Sequence, residues 1–254
     1  MRVISANLNG IRSAAGKGFF DWLETSGADV LCIQETKAQE HQLDILHRPD
    51  GWNSFFFDAQ RPGYSGVALF SRQRPDEVKV GLGFELCDTQ GRWIEARFGD
   101  LTIASLYLPS GSANEEAQVR KDHFLAQLMP RLRQWRAEGR RLIVCGDWNI
   151  AHKEIDIRNW KGNLQNSGFL PHERAWLTTL FDEVGYVDAF RVVNQEPEQY
   201  TWWSNRGQAY ARNVGWRIDY HIVSPDLKDR IRSTSIYKDQ KFSDHAPLIL
   251  DYDL

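Results

Sequence analysis

The stretch LIVCGDWN at residues 142–149 begins with four apolar residues and ends with a carboxylate and an amide, Asp147 and Asn149. A run this apolar predicts a β-strand covered on both faces, because a half-exposed strand alternates apolar and polar residues. The polar pair then falls at the carboxyl end of the strand. The stretch therefore predicts a buried strand in a layered structure and polar side chains at one edge of its sheet.

Short apolar runs bounded by Gly, Pro, Asp or Asn recur along the chain, as the ends of strands do. DVLCIQ at 29–34 is as apolar as the first stretch, whereas WIEARF at 93–98 alternates and predicts one solvent-facing side. The predicted strands are 2–7, 29–34, 66–71, 93–98, 101–108, 142–147, 217–224 and 246–252.

Helical spacing of apolar residues occurs between these strands, at 17–26, 114–138 and 172–184. Pro130 is expected to bend or interrupt the second helix, and Pro171 suits the start of the third. Strands alternate with helices, and some strands follow one another directly. This order predicts an α/β four-layer sandwich, in which two mixed β-sheets pack face to face with helices outside.

Composition sets the broad class. The 254 residues are 42% hydrophobic and 26% charged, which is typical of a folded globular protein. No repeat or flexible linker divides the chain, so a single domain over 1–254 is expected. No apolar run reaches the roughly 18 residues that a membrane helix needs. The N-terminus has no apolar stretch of signal-peptide length, so a cytoplasmic location is expected.

The cysteines and the net charge exclude some classes of site. None of the three cysteines belongs to a C-x-x-C pair, and Cys32 and Cys145 lie in apolar runs. Buried thiols are predicted, without a disulfide framework or a thiolate metal site. The net charge of −3 argues against a uniformly basic nucleic-acid coat. It leaves open a nuclease in which a local basic track accompanies an acidic metal pocket.

Polar side chains collect where the predicted strands end or begin, so they are expected to meet at one edge of the sandwich. They are Asn7, Asn9, Glu35, Tyr107, Asp147, Asn149, Asp219, Asp244 and His245.

These residue types form a coherent chemical set. The carboxylates of Glu35 and Asp244 and the amides of Asn7 and Asn9 are hard oxygen ligands. Such ligands suit Mg²⁺, with Mn²⁺ as a substitute, rather than Zn²⁺.

The remaining groups suit hydrolysis. Asp219 is able to orient His245 and stabilise it as an imidazolium. Asp147 is able to accept a proton from water, and Asn149 to hold that water or a phosphate oxygen. An oxygen-ligated metal, a cationic histidine and a positioned water together favour phosphoester hydrolysis.

Each motif also has a purely structural explanation. GDWN at 146–149 suits an Asx turn or a helix cap, Asp244 and His245 suit a polar turn, and Glu35 suits a solvated helix start. The joint occurrence of these motifs favours the catalytic interpretation.

The chain resembles the exonuclease III family of apurinic/apyrimidinic endonucleases, within the wider endonuclease/exonuclease/phosphatase superfamily. The resemblance covers about residues 2–252, and GDWN and SDHAP are shared across the superfamily. NSGFLPHER, YTWWSNR and GWRIDY point to the DNA-repair branch. The motifs that carry it are ANLNGIRSA, LCIQETK, GYSGVALFSR, LYLPSG, GDWNIAH, NSGFLPHER, YTWWSNR, GWRIDYHIVS and SDHAPL.

The resemblance implies a role for each site residue. Glu35 is similar to the main metal carboxylate, with Asn7, Asn9 and Asp244 around the same site. His245, paired with Asp219, is similar to the histidine that contacts the scissile phosphate. Asp147 resembles the group that aligns or deprotonates the attacking water, while Asn149 and Tyr107 would hold and polarise the phosphate.

The resemblance also implies a DNA surface. No acidic side chain occurs from Tyr200 to Ile218, while Arg206, Arg212 and Arg217 are interleaved with aromatics over the same segment. That mixture suits a phosphate track with a stacking surface, although a core aromatic cluster with solvated arginines is the alternative. The residues that match DNA-contacting positions are Arg12, Lys17, Lys37, Tyr64, Arg92, Trp202, Arg206, Arg212, Trp216 and Ile218.

Trp202, Trp216 and Ile218 match a pocket for a flipped-out abasic sugar, and the small residues Ser167 and Gly168 predict that this pocket is open. The implied function is Mg²⁺-dependent cleavage 5′ to abasic sites in double-stranded DNA, with trimming of blocked 3′ ends, by a monomer. The alternatives are a predominantly 3′–5′ exonuclease, another superfamily phosphoesterase, or a binding module with an inactive site.

Overall fold

The computed structural model describes residues 1–254, and its fourteen strands form two six-stranded sheets and a two-stranded ribbon. In chain order the strands are β1 (Arg2–Asn7), β2 (Val30–Gln34), β3 (Asn53–Phe57), β4 (Val67–Ser71), β5 (Glu77–Val80), β6 (Trp93–Phe98), β7 (Leu101–Tyr107), β8 (Arg141–Asp147), β9 (Val187–Asp188), β10 (Trp202–Trp203), β11 (Gly215–Trp216), β12 (Asp219–Val223), β13 (Ile231–Ile236) and β14 (Leu248–Tyr252).

Six α-helices accompany the strands, together with short 3₁₀ turns. None of the helices is both long enough and apolar enough to cross a membrane. The fifth helix continues as a π-helical turn over Thr179–Val184. The helices are α1 (Ile11–Gly16), α2 (Phe19–Thr25), α3 (Glu85–Asp88), α4 (Glu115–Ala137), α5 (Pro171–Thr178) and α6 (Ala189–Val193).

Both sheets are mixed. The first has the order β13-β14-β1-β2-β4-β3, and the second has the order β5-β6-β7-β8-β12-β9. Each sheet contains one parallel pair, β1 with β2 and β7 with β8, and all other neighbours are antiparallel. The two parallel pairs therefore give each sheet two adjacent strands whose carboxyl ends reach the same edge.

Three buried clusters account for the layers. Between the sheets, Val3 and Leu69 of the first sheet belong to one cluster with Ile103 and Ile143 of the second. Helices α1 and α2 cover the outer face of the first sheet, and α4 with the α5 region covers that of the second. Burial of these apolar faces, at about 25 cal/mol per Å², is the main force that holds the layers together. The predicted four-layer α/β sandwich is confirmed.

Two local expectations are wrong in part. Pro130 does not interrupt α4, which is continuous from Glu115 to Ala137. The proline removes one helical hydrogen bond, but Phe124, Leu128 and Leu132 pack against the second sheet on both sides of it, and tertiary packing stabilises most helices. In β6, Glu95 is buried rather than solvent-facing, because Arg140 and the Trp93 indole bind its carboxylate.

The strand register places the polar residues together. Tyr107, the last residue of β7, lies opposite Asp147, the last residue of β8. Asp147 also lies opposite Asp219, the first residue of the antiparallel strand β12. In the first sheet, Asn7 ends β1, and Glu35 directly follows β2. The fold thus brings side chains from distant parts of the sequence to one edge of the sandwich.

Candidate active site

A cavity of about 520 Å³ opens at this edge of the sandwich. It contains most of the polar residues predicted from the strand ends, together with a wall of two tryptophans. The lining residues are Glu35, Tyr107, Ser110, Gly111, Ser112, Asn114, Asp147, Asn149, Gln165, Asn166, Ser167, Gly168, Trp202, Trp216, Ile218, Asp244 and His245.

Asn7 joins the two sheets at the base of the site. Its side-chain amide donates one hydrogen bond to Glu35 Oε1 and another to Asp147 Oδ2, both at 2.9 Å. Its Oδ1 accepts the Asn9 backbone N–H, also at 2.9 Å. Both N–H groups of the amide are therefore engaged, and Asn7 fixes one carboxylate from each sheet.

Asn9 and Lys37 extend this network towards Asp244. Asn9 Nδ2 donates to Asp244 Oδ1 at 2.9 Å, and the Lys37 ammonium contacts both Asn9 Oδ1 and, at 2.9 Å, Glu35 Oε2. The Trp202 indole donates to Asp244 Oδ2 at 3.1 Å. Burial alone would raise the pKa of Asp244, but the charge of His245 and these hydrogen bonds lower it below the ordinary value. Asp244 is therefore held as a carboxylate.

His245 lies between two carboxylates. Its Nδ1 is 2.8 Å from Asp219 Oδ2, and its Nε2 is 3.8 Å from Asp147 Oδ2. Burial alone would lower the pKa of His245, but the charges of Asp219 and Asp147 outweigh burial and raise the pKa to about 10. The ring is therefore an imidazolium at neutral pH, as the sequence predicted.

Asp147 is buried at the centre of the site. Burial is the main cause that raises the pKa of Asp147, to about 8, and the nearby charges of Asp219 and Glu35 add to it against the opposing effect of His245. A carboxylate that holds its proton this strongly is a much better base than an exposed aspartate. The Asn149 backbone N–H donates to Asp147 Oδ1 at 2.9 Å, which fixes its orientation.

Tyr107 is buried, and both burial and the charge of Glu35 raise the pKa of its phenol well above the ordinary value. The phenol therefore keeps its proton and remains a hydrogen-bond donor. The Arg92 guanidinium lies over the Tyr107 ring and also donates to the Tyr107 carbonyl and to the Tyr64 hydroxyl. Arg92 is only 2% exposed, so it lies beneath the surface of the site, and its assignment to the DNA-binding residues stays a prediction. Its contacts with Tyr64 and Tyr107 hold both tyrosines in place.

Four site residues have left-handed backbone conformations, Asn9 with φ 45°, Glu35 with φ 53°, Lys37 with φ 49° and Asn149 with φ 51°. Asparagine tolerates this region, whereas for a glutamate it costs about 1–2 kcal/mol. Strain of this kind concentrates at functional sites, where surrounding contacts hold the residue in place. For Glu35 the contacts are those with Asn7 and Lys37.

The oxygen-rich part of the site fits a divalent cation. The Lys37 ammonium already sits against carboxylate and amide oxygens, which indicates that this donor set attracts positive charge. Glu35, Asp147 and His245 also place potential ligand atoms within 4.8 Å of one another. His245 is a poor ligand, however, because its protonated ring has no free lone pair. The donors that suit the ion are the oxygens of Glu35, Asp244, Asn7 and Asn9.

An aromatic wall closes one side of the cavity. Trp202 of β10 and Trp216 of β11 are register partners and contact edge to face, with ring centroids 6.1 Å apart. Ile218 lies beside them, and Gly168 faces Trp216 with φ +92°. A Cβ at Gly168 would lie 3.0 Å from the Trp216 ring, so any larger residue would crowd this part of the cavity.

The other predicted DNA contacts differ in exposure. Arg12, Lys17, Arg206 and Arg212 are exposed, and Tyr64 and Lys37 are half-buried. Arg217, which the sequence placed on a basic track, is buried instead, because its guanidinium pairs with Asp156 at 2.8 Å and Asp188 at 2.6 Å. The basic surface of segment 200–218 therefore consists of Arg206 and Arg212.

Sequence reasoning missed part of the cavity. Three polar residues of the lining, Ser112, Asn114 and Gln165, lie outside the quoted motifs. The sequence signal for this part of the lining was the run of small residues at 110–114, shortly after β7. Lys121 and Glu173 were also missed, and their role is developed below.

Comparison with known proteins identifies the family. The model of the Endonuclease/Exonuclease/phosphatase family matches residues 4–245 of this chain. That match covers the two sheets almost entirely and includes every residue named at the cavity.

Three individual proteins are similar over nearly their whole length. The exodeoxyribonuclease of Bacillus subtilis is 40% identical over 255 residues, which cover 98% of each chain. The structure of an AP endonuclease from Archaeoglobus fulgidus has a TM-score of 0.91 at 26% identity and full coverage of both chains. A 3′ phosphatase from Neisseria, bound to product DNA hairpin, has a TM-score of 0.90, also at 26% identity and full coverage.

Proposed function

This chain belongs to the endonuclease/exonuclease/phosphatase family, and on that basis we propose that it is a DNA-repair phosphodiesterase that uses Mg²⁺. It hydrolyses the backbone 5′ to an abasic site in double-stranded DNA and leaves a 3′-hydroxyl and a 5′-deoxyribose phosphate. It also trims blocked 3′ ends. It acts as a monomer with a single catalytic domain.

One observation carries this proposal. The acidic groups and His245 line the same cavity as Trp202, Trp216 and Ile218. Phosphoester hydrolysis alone needs only the polar part of that cavity. The apolar wall gives a sugar without a base a surface to pack against, and an intact nucleotide must first break its pairing and stacking to reach it. Lesion selectivity follows from that difference in cost.

The carboxylates of Glu35 and Asp244, with the amide oxygens of Asn7 and Asn9, would hold the Mg²⁺ ion. Members of this family depend on a divalent metal. When bound, the ion polarises a phosphate oxygen and stabilises the charge that develops on the leaving oxygen.

Asp147 acts on the attacking water, and His245 acts on the phosphate. Asp147 aligns a water molecule and, in its ionised form, accepts the proton of that water. A pKa raised to about 8 makes this carboxylate a strong base while part of it is still ionised near neutral pH. The His245 imidazolium donates a hydrogen bond to a non-bridging phosphate oxygen, and Asp219 keeps the ring oriented and charged. The water oxygen bonds to phosphorus as the bond between phosphorus and the 3′-oxygen breaks. The 3′-oxygen takes a proton from solvent to become the 3′-hydroxyl, and Asp147 releases to solvent the proton that it accepted.

Asn149 and Tyr107 complete the phosphate site. One N–H of the Asn149 amide donates to the Leu108 carbonyl at 2.7 Å, which leaves the second N–H for the phosphate. The Tyr107 phenol provides another donor, since its raised pKa keeps it protonated. Donors already oriented towards the developing charge lower the barrier without reorganisation during the reaction.

Trimming of 3′ ends uses the same polar groups, because a 3′-terminal phosphate or nucleotide reaches them from the open side of the cavity. The names of the relatives support both activities, since they include an exodeoxyribonuclease, an AP endonuclease and a 3′ phosphatase. A phosphatase of small head groups is the less favoured alternative, because such a substrate has no use for the tryptophan wall.

A panel of two DNA duplexes tests the proposal. One carries a central abasic analogue, and the other is undamaged with a recessed 3′ end. We expect Mg²⁺-dependent incision at the abasic site, slower removal from the recessed end, and no reaction in EDTA. Cleavage of neither duplex with Mg²⁺ would refute the proposal, and trimming without incision would support the exonuclease alternative.

A further inference from the structure

Lys121 and Glu173 form an ion pair that is wholly buried behind the cavity wall. Lys121 lies on α4 and Glu173 on α5, and neither side chain has any exposed surface. Lys121 Nζ is 2.6 Å from Glu173 Oε1. Removing two charges from water costs about as much as their attraction returns, so a pair of this kind is a poor source of stability. Its other contacts suggest why it is present.

Each charge has further partners in the wall of the cavity. Lys121 Nζ donates to the Asn149 carbonyl at 2.7 Å. Glu173 Oε2 accepts the backbone N–H of Gly168 at 2.6 Å and that of Leu170 at 3.1 Å. The pair therefore connects the loop that follows β8 with the loop that precedes α5.

The two opposite charges satisfy both loops at once. The Asn149 carbonyl needs a donor, and the Gly168 and Leu170 N–H groups need an acceptor. An apolar pair would fill the same volume but would leave these backbone groups unpaired, at about 1–3 kcal/mol each. The ion pair thus stabilises one arrangement of two cavity loops.

We propose that Lys121 and Glu173 are positioning residues, and that each one holds a different part of the site in place. Lys121 sets Asn149, which the proposed mechanism uses for every phosphate. Glu173 sets Gly168 against Trp216, which matters only when a sugar enters the aromatic pocket. This inference rests on the proposed function, and it assigns the preference for abasic sites over 3′ ends partly to a residue that does not line the cavity.

The variant Glu173→Gln separates these roles. Glutamine keeps the shape but has one oxygen and one NH₂ group where the carboxylate has two oxygens. The Lys121 ammonium repels an NH₂ group, so the amide oxygen is expected to face Lys121, and the NH₂ group then leaves the Gly168 and Leu170 N–H groups without an acceptor. We expect kcat/KM for abasic incision to fall about tenfold or more, through a higher KM, because a small misplacement of the pocket wall weakens sugar binding. Removal of a 3′-phosphate from an undamaged nicked duplex is expected to change less than about threefold.

Lys121→Met provides the complementary change. It removes the donor to the Asn149 carbonyl, so both activities are expected to fall by a similar factor, through kcat. A control for general destabilisation is Glu95→Gln, which removes another buried carboxylate, one paired with Arg140 at 2.5 Å and remote from the cavity. It is expected to lower Tm without altering the ratio of the two activities.

The ratio of abasic incision to 3′-phosphate removal tests the positioning roles, while incision by the wild-type protein separately tests the proposed function. Equal losses of both activities in Glu173→Gln, or a changed ratio in Glu95→Gln, would overturn the positioning roles. Should Glu173→Gln fail to fold, Glu173→Asp replaces it, since the shorter carboxylate keeps its charge but withdraws from the Gly168 N–H. The same selective loss of incision is expected there, and an unchanged ratio would contradict the inference.

Discussion

The imidazole of His245 and the carboxylate of Asp219 form a buried 2.8 Å hydrogen bond between the segment before β14 and the first residue of β12. Strand β12 belongs to the second sheet, and β14, which follows His245, belongs to the first. The protonated form of the histidine therefore depends on the packing of one sheet against the other, and not on either motif alone.

Asp219→Asn is expected to lower kcat for abasic incision by roughly 10²–10⁴-fold, because a neutral amide no longer stabilises the imidazolium. Single-turnover cleavage at pH 7 measures this effect. The matched control is Asp226→Asn, which removes a surface carboxylate paired with Arg141 and should retain activity. Equal rates for wild type and Asp219→Asn would contradict the role of this pair.

Trp202→Phe is expected to weaken divalent-metal binding about tenfold, because phenylalanine keeps the aromatic wall but loses the hydrogen bond to Asp244. Calorimetric titration with Mn²⁺ in the absence of DNA measures the dissociation constant. Trp216→Phe alters the same wall without touching that hydrogen bond, so its metal affinity should be unchanged. The same affinity in both variants would contradict the proposed link between Trp202 and the metal site.

Gly168→Ala is expected to reduce abasic incision while largely sparing 3′-end trimming. The added Cβ would lie 3.0 Å from the Trp216 ring and 3.1 Å from the Asn149 carbonyl, and φ +92° disfavours any residue with a side chain. Parallel assays on an abasic duplex and a recessed 3′ end give the ratio of the two activities. Gly162→Ala, where a Cβ meets nothing within 4 Å, is the control, and a similar ratio in both variants would contradict the pocket assignment.

Acid should weaken the fold through Asp156, which lies between Arg217 and Arg191. Burial alone would raise the pKa of Asp156, but the two guanidinium groups lower it to about 2. An unfolded aspartate has a pKa of about 3.9, so the stabilisation is complete above that pH and is lost as the pH falls towards 2. Urea unfolding at pH 4 and below should show a steeper fall in the free energy of unfolding for wild type than for Asp156→Asn. Parallel curves for the two proteins would contradict this coupling.

The interior strands of both sheets could be predicted from the sequence, whereas the edge strands could not. Strands β1, β2, β4, β7 and β8 are continuous buried runs, and hydrophobic patterning identifies such runs directly. Of the six missed strands, β10 and β11 form the short ribbon, and the other four, β3, β5, β9 and β13, are the outermost members of the two sheets. Edge strands carry exposed polar residues that discourage association with other chains, and this weakens their hydrophobic signal.

The polar residues at strand ends were predictable, because a carboxylate directly after an apolar run gives a strong local signal. Lys121, Glu173 and Arg217 were not, because a charged residue in a helix or loop normally faces solvent. Their burial depends on partners far away in sequence, such as Asp156 for Arg217, and no local pattern reveals such a pairing.

The most direct test of the central claim is single-turnover cleavage of an abasic duplex by Asp147→Ala and His245→Ala, with DNA binding measured in parallel. Both residues line the cavity, and the proposed mechanism uses Asp147 to activate water and His245 to contact the phosphate. We expect both variants to bind the duplex and to lose incision in Mg²⁺. Full cleavage by both variants would contradict the assignment of this cavity as the active site.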